Sequence, residues 1–488
     1  MGILEILLLI NYTLALFAII DMIFFSGKKP RRIIAWIVLL GVPFIGLFIY
    51  FIIGAGLSWF VKRMIRKYKF SSDEYQEHIN NQKKTLGVSD QNAIYPEEHK
   101  DLIMLNLNTC GGIFSLNNDY DYFFDGPSAL ESLKNDIKNA KSTIHLEFYI
   151  FENDNTGHDM INLLIEKAKQ GVEVRVLYDA VGSIRVSKFA FRKLKKAGAQ
   201  VTTFFPPFLN IKVLNFKANY RNHRKICVID GKIAYTGGFN IRDDHMGLNK
   251  HLSPWRDTTA RFVGASVHSF QNIFLADWRF ASRDSTDINE YKGDKYFPIN
   301  KSEIKNSKIP MQVITSGPES LGDPIKECMI KMIHQAKKSI KIQTPYFIPD
   351  EAFLDALKLA LLSGIEVTII IPKKVDHWHV HYASFGYLND LLRFGVKAYL
   401  YNGFIHSKVL MVDDKIMTFG SCNIDIRSFA LNFEDNVVVY DSEKTLEYSR
   451  QFDEDLKNSF VYDEKARKNR NVFAKMLTSF CRLFSAIL

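Results

Sequence analysis

One pattern occurs twice in this 488-residue chain, and the recurrence limits what it can fold into more than any other feature. NAKSTIHLEFYIF, beginning at Asn139, corresponds to QAKKSIKIQTPYFI, beginning at Gln335. QGVEVRVLYD from Gln170 then matches SGIEVTIIIP from Ser363, and KAGAQV from Lys196 matches RFGVKAYL from Arg393. Each unit reads as helix, buried strand, helix, buried strand, helix, strand, because Val/Ile-rich runs alternate with segments ending at glycine. Such alternation implies a largely parallel sheet with both faces covered. The expectation is an α/β protein of two similar halves with covered mixed or parallel sheets. The first spans residues 111–300 and the second 301–463, with the join near residues 295–320.

Both units close on the same motif, within residues 218–245 and 401–428. RNHRKICVIDGKIAYTGGFN, from Arg221, holds His223, Lys225 and Asp230; GFIHSKVLMVDDKIMTFGSCN, from Gly403, holds His406, Lys408 and Asp413 at the same spacing. Small residues follow, Gly237 and Gly238 in one copy, Gly420 and Ser421 in the other, and then Asn240 and Asn423. On an alternating strand the His and Lys of each copy share a face, so they are the pair expected to touch a ligand. The Asp falls at an odd offset and begins a turn. Asp230 and Asp413 are counted with the candidate catalytic set, yet a structural part is expected of them. The small residues suit close approach of backbone to a ligand, and the two Asn would supply donors. A single His-x-Lys is most often an ordinary surface pair. Two copies with matching downstream residues, inside a repeated fold, point to one shared site.

The ends of the chain add a membrane. Ile6 to Ile20 is uncharged, and Ile33 to Val61 is an uncharged run of 29 residues, long enough to cross a hydrocarbon layer of about 30 Å. The first run lacks the basic start and cleavage site of a signal peptide. Residues 1–67 are therefore expected to form a transmembrane helical hairpin, about 3–25 and 33–61. SGKKPRR between the runs and VKRMIRKYK after them carry four and five basic residues, too even a balance to orient the hairpin. Residues 68–110 are polar and read as a linker and entry to the catalytic region. The five cysteines are scattered with no CxxC pair, which suggests neither a disulfide framework nor a zinc site and leans toward a reducing compartment. Residues 464–488 hold six Lys or Arg from Lys465 onward and no acid after Glu464, with Phe473, Met476, Leu477, Phe480, Phe484 and Ile487 at helical spacing. They read either as a basic amphipathic helix on an anionic surface or as a helix docked on the core.

The duplicated HxKxxxxDxxxxxxG(G/S)xN pattern resembles the phospholipase D superfamily. Within it, the hairpin and the segments DGPSALESLKNDIKNAKSTIHLEFYIF, RNHRKICVIDGKIAYTGGFNI, PWRDTTARFVG and DIRSFALNFE resemble bacterial cardiolipin synthases over nearly the whole length. The resemblance implies a phosphatidyltransferase that joins two phosphatidylglycerols into cardiolipin and releases glycerol through a phosphohistidine. It further implies that one His attacks phosphorus and the other moves the proton, by analogy His223 and His406 respectively, while Lys225 and Lys408 hold the phosphoryl oxygens. No metal or other cofactor is then required. A His poised for such work usually has an orienting carboxylate, and Glu434 in LNFED and Asp257 in PWRD occupy comparable places after the motifs. The implied location is the bacterial inner membrane, multi-pass, with the catalytic part on the cytoplasmic face.

Other readings use the same residues. A phospholipase D-type hydrolase, or transfer to another lipid alcohol, would need no change in the motif. DHWHVH offers His377, His379 and His381 for a metal if it is a strand, but on a helix these would diverge. A net charge of +10 would suit a nuclease of the same superfamily. The hairpin, and the lack of the basic and aromatic stretch that single-strand binders use, favour lipid over nucleic acid.

Overall fold

The computed structural model describes residues 2–24, 37–47, 50, 72–87, 95–205, 220–284, 286–298, 308–320, 322–483 and 485. The repeat is visible at the level of strand order. The sheet of the first half runs Asn118–Phe123, Thr259–Gly264, Ile233–Gly237, Lys225–Ile229, Thr143–Phe148, Glu173–Asp179, Gln200–Phe204. The second half repeats this with Met311–Ser316, Asn432–Val439, Ile416–Gly420, Val409–Val412, Ser339–Gln343, Glu366–Pro372, Lys397–Tyr401. In each of these seven-strand runs the last three strands are parallel and the others antiparallel, and in the second sheet Ser459–Tyr462 adds antiparallel beyond Lys397–Tyr401. The middle parallel strand of each half is Val/Ile-rich, and helices such as Asn155–Lys169 and Glu351–Leu362 make the crossovers into it. A shared core in which Ile226, Val228, Phe262 and Phe270 meet Val409, Met411, Met417 and Val437 joins the two halves.

The stretch read as a linker is largely folded. Asp73–Gly87 and Lys100–Cys110 are helices. Ile79, Leu86, Leu102, Ile103 and Leu107 are buried in the core of the second half, beside Ile314, Met329 and Met332. Phe114–Ser115, placed by sequence at the start of the first half, pairs antiparallel with Met311–Ser316 and so extends the sheet of the second. The stretch is polar overall, and its few apolar residues fall on one helical face, which composition conceals.

At the N-terminus, Ile3–Phe24 is one helix, and its first 18 residues are apolar and long enough to cross a membrane. Of the second apolar run, residues 37–47 and 50 are described, with helix interrupted at 41–44. Pro43 lies there, and Phe44 takes φ of 60° with its N–H donating to Asn11 Oδ1 at 2.9 Å. Leu40 and Tyr50 pack on Ala15 and Ala18. The rest of that expected span and both basic flanks lie outside the described residues.

At the other end, Val472–Leu483 packs along Trp378–Leu392 through Leu477, Thr478 and Cys481, and the Tyr387 hydroxyl meets Ser485 Oγ at 2.8 Å. Its Phe473, Met476, Phe480 and Leu483 face outward. The helix thus docks and still presents an apolar stripe.

Candidate active site

His223 and His406 lie just ahead of regular strands, in short extended segments that precede Lys225–Ile229 and Val409–Val412. Each segment is held by the opposite half. Arg221–Asn222 pairs in parallel with Asn432–Phe433, and the His223 N–H donates to Phe433 O at 2.9 Å. Phe404–Ile405 pairs in parallel with Trp255–Arg256, and the His406 N–H donates to Arg256 O at 2.6 Å. The next residue on each holding strand is an acid, Glu434 or Asp257. Glu434 Oε2 therefore stands 2.9 Å from His223 Nδ1, and Asp257 Oδ2 stands 2.8 Å from His406 Nδ1. The carboxylates are exchanged between the halves, so neither half completes a His–carboxylate pair alone.

Each lysine is held by the histidine of its own motif. Lys408 Nζ donates to the carbonyl of His406 at 2.5 Å, and Lys225 Nζ donates to that of His223. Burial lowers Lys225 to about 8 and Lys408 to about 7, against the pull of nearby carboxylates. Glu434, Asp435 and Asp257 all act on Lys225, while Asp257, Glu434 and the opposing Lys225 act on Lys408. The charges of both motifs thus share one buried site.

Burial also pushes His223 down to about 4, with the two ammoniums adding to it, and pushes His406 well below the usual imidazole range. Burial alone would raise Asp257 and Glu434, but their imidazole and lysine neighbours outweigh it and hold both carboxyls ionised, Asp257 well below the usual range. A neutral imidazole beside a carboxylate donates from Nδ1, which leaves a lone pair on Nε2. Each dyad is built to present that lone pair.

The other motif residues serve the scaffold. Asp230 and Asp413 sit at the far end of the strands, away from the histidines, where each accepts from three backbone N–H groups: Lys141, Ser142 and Thr143 for one, Lys337, Lys338 and Ser339 for the other, at 2.7–2.9 Å. Both take left-handed backbone, φ 52° and 55°, as the first residue of a three-residue hairpin loop, 230–232 and 413–415. The close approach expected at the small residues is made by protein. A Cβ on Gly237 would lie 2.3 Å from Thr258 O, one on Gly420 2.2 Å from Asp435 O, and one on Gly238 2.0 Å from Asp257 Oδ1. Ser421, in the place of Gly238, donates its hydroxyl to Glu434 Oε2 at 2.5 Å. Asn240 accepts from Ile150 N–H and lies beside the His245 ring, while Asn423 Oδ1 is buried with no partner among the described residues.

Two residues escaped the sequence reading. Tyr149 packs edge-on against His223 with ring centroids 4.8 Å apart. It lies in the repeated stretch, whose second copy also carries a tyrosine, Tyr346, and that was the available signal. His245 is buried 5.0 Å from the His406 ring, with Nδ1 3.7 Å from Asp257 Oδ2. It has no counterpart in the second motif, so repetition could not reveal it. His377 precedes the helix Trp378–Leu392 and His379 and His381 lie on it; the rings of His377 and His379 are 5.8 Å apart, while His381 packs edge-on against Phe385. Instead His245, Asp257 and His406 offer ligand atoms within 4.8 Å of one another. A cation there would compete with the Asp257–His406 hydrogen bond and face the Lys408 ammonium.

Comparison with known proteins agrees with this architecture. A family described as "Cardiolipin synthase, PLD-like domain" matches residues 133–278 and 329–456, and one described as "Phospholipase_D-nuclease N-terminal" matches residues 13–54. The chain is 41% identical over 492 residues to a cardiolipin synthase of Oceanobacillus iheyensis, covering 100% of both. It is 39% identical over 504 residues to the major cardiolipin synthase ClsA of Bacillus subtilis, again covering 100% of both. Among solved structures, a phosphatidylserine synthase from Haemophilus influenzae superposes with a TM-score of 0.57 at 15% identity, over 76% of this chain and 95% of that one. That last likeness concerns the fold.

Proposed function

Since the chain belongs to the cardiolipin synthases of the phospholipase D superfamily, which are phosphatidyltransferases, we propose that its crossed dyads transfer a phosphatidyl group from one phosphatidylglycerol to another. The observation that carries this reading is the placing of two neutral imidazoles, each on its own carboxylate, in one buried site with two lysines.

In the first step His223 Nε2 attacks phosphorus, the bond from phosphorus to the glycerol oxygen breaks, and His406 in its protonated form gives that oxygen a proton. An entering phosphodiester anion raises the proton affinity of the site and supplies the charge that lets His406 hold this proton. In the second step a hydroxyl of another phosphatidylglycerol gives its proton to neutral His406 and attacks phosphorus, and the N–P bond breaks. Cardiolipin forms and His223 is regenerated. Lys225 and Lys408 offset charge on the phosphoryl oxygens. The free Oδ1 of Asn423 accepts from a glycerol hydroxyl. His223 is assigned attack by family analogy.

We place the enzyme in the bacterial cell membrane as a multi-pass protein with the catalytic halves on the cytoplasmic face. The apolar N-terminal helix, the five free thiols and the outward stripe of the basic C-terminal helix support that placement. Full-length enzyme in mild detergent with chelator, given labelled phosphatidylglycerol, should yield cardiolipin and free glycerol by mass spectrometry. His223→Ala and His406→Ala should abolish both products. Phosphatidic acid alone would make the enzyme a hydrolase, and product only with another lipid alcohol, or only from nucleic acid, would replace the substrate proposed.

A further inference from the structure

The two halves carry matching loops beside the site, each leaving the C-terminal end of the middle parallel strand: residues 180–187 after Glu173–Asp179, and 373–377 after Glu366–Pro372. Both loops rest on a tyrosine of the site. Ser183 Oγ donates to Tyr149 O at 3.0 Å, and Gly182 lies so close that a Cβ would fall 2.4 Å from the same atom. In the second half Asp376 accepts from the Tyr346 hydroxyl, and Asp376 also acts on the Lys408 ammonium. The loops therefore form the rim of the buried centre on two sides.

That rim is unusually apolar for a surface. Ile184 is 51% exposed, Phe189 62% and Trp378 55%, and Val181 and Val375 join them. On the first half these side chains alternate with bases. Arg185, Lys188, Arg192 and Lys193 are exposed in the same segment, and no Asp or Glu occurs from Ala180 to Ile229. Lys373 is exposed on the second loop, where Asp376 is the acid.

We propose that this rim docks into the surface of an anionic phospholipid bilayer, with Val181, Ile184, Phe189, Val375 and Trp378 inserted at the headgroup level and the bases on lipid phosphates. The combination selects this occupant. Nucleic acid would use the bases but leave exposed aliphatic side chains in water, and a bilayer interface takes both. The same chain carries a helix able to cross a membrane, which keeps a bilayer within reach. Docking would open a centre whose histidines and lysines are all buried directly onto the lipid phase, so that a lipid phosphodiester reaches it without crossing water. The inference rests on a lipid substrate, as proposed above, but not on which reaction follows.

The test is nitroxide accessibility in the full-length protein reconstituted into vesicles of phosphatidylglycerol and phosphatidylcholine. Labels at Ile184→Cys, Phe189→Cys and Trp378→Cys should be relaxed more by oxygen than by a water-soluble nickel chelate. Labels at Glu166→Cys and Ser363→Cys, exposed at the opposite ends of the strands, should show the reverse. The rim pattern should weaken severalfold when phosphatidylglycerol is replaced by phosphatidylcholine, and should survive His406→Ala, which separates docking from chemistry. Rim labels that behave like the controls would overturn the proposal. So would rim protection that depends on protein concentration and not on lipid charge, since that is self-association.

Discussion

Replacing Glu434 by Gln keeps the volume beside His223 but removes the charge that fixes its Nδ1–H tautomer. We expect kcat to fall about 10²–10⁴-fold for Glu434→Gln and for Asp257→Asn, with the fold intact by circular dichroism. Because each carboxylate acts through its own imidazole, Glu434→Gln should add little to His223→Ala, and Asp257→Asn little to His406→Ala, in double-mutant cycles. Gly238→Ala offers a subtler probe, since its Cβ would fall 2.0 Å from Asp257 Oδ1 and push that carboxylate off His406; activity should drop while KM changes little. The lysines predict an alkaline limb. They ionise near 8 and 7 in the free site, so kcat/KM should decline as pH rises through that range and the phosphoryl oxygens lose their partners. A flat profile to pH 9 would show that the lysines stay charged throughout. The histidines and lysines were legible as residue types at repeated spacing, and the carboxylates by their comparable places after the two motifs. The crossing of the carboxylates was not, because a spacing along one chain does not say which strand lies next to which.

At the scale of elements, the motif aspartates are turn locks. Asp230→Ala or Asp413→Ala removes an acceptor shared by three amides and leaves a residue ill suited to positive φ, at a cost of about 1–3 kcal/mol each. Thermal unfolding should show the loss, while activity per folded molecule stays near that of the parent. Loss of turnover without loss of stability would return the aspartates to the chemistry. The strand and helix alternation was readable because buried parallel strands are almost continuously apolar. The helices Asp73–Gly87 and Lys100–Cys110 were not, since a few well-placed apolar residues anchor them within a polar composition. The C-terminal helix was readable as amphipathic, but the sequence could not say that Ala474, Leu477, Thr478 and Cys481 would turn inward while Phe473, Met476, Phe480 and Leu483 turned outward.

Across the whole molecule, the buried bases tie stability to pH. Lys225 and Lys408 release their protons more readily when folded than when unfolded, so between about 7–8 and the ordinary value of 10.5 the unfolded chain holds more protons. Stability therefore rises with pH across that interval. His223, at about 4 when folded against 6.5 when unfolded, acts the same way at lower pH, so stability falls on acidification through that window. The melting temperature should climb between pH 5 and 9 even as activity declines at the alkaline end, and Lys225→Met with Lys408→Met should flatten the alkaline part of the climb. A melting temperature that falls from pH 7 to 9 in the parent, unaltered by those substitutions, would contradict the burial argument.

The strand Phe114–Ser115 and the helix before it imply an order of assembly. Their partners are made late: Gln312 Nε2 meets the carbonyl of Ile103 at a separation of 209 residues, and Tyr440 packs on Phe114. On the ribosome, the first sheet can close around its own strands while this segment, emerging just after the apolar N-terminus, still lacks a place to go. Residues 73–115 are thus fastened to the half that is synthesised second. A nascent chain halted before residue 311 would hold one folded sheet with this segment still unpaired, and only the second half would supply the strand and core that receive it.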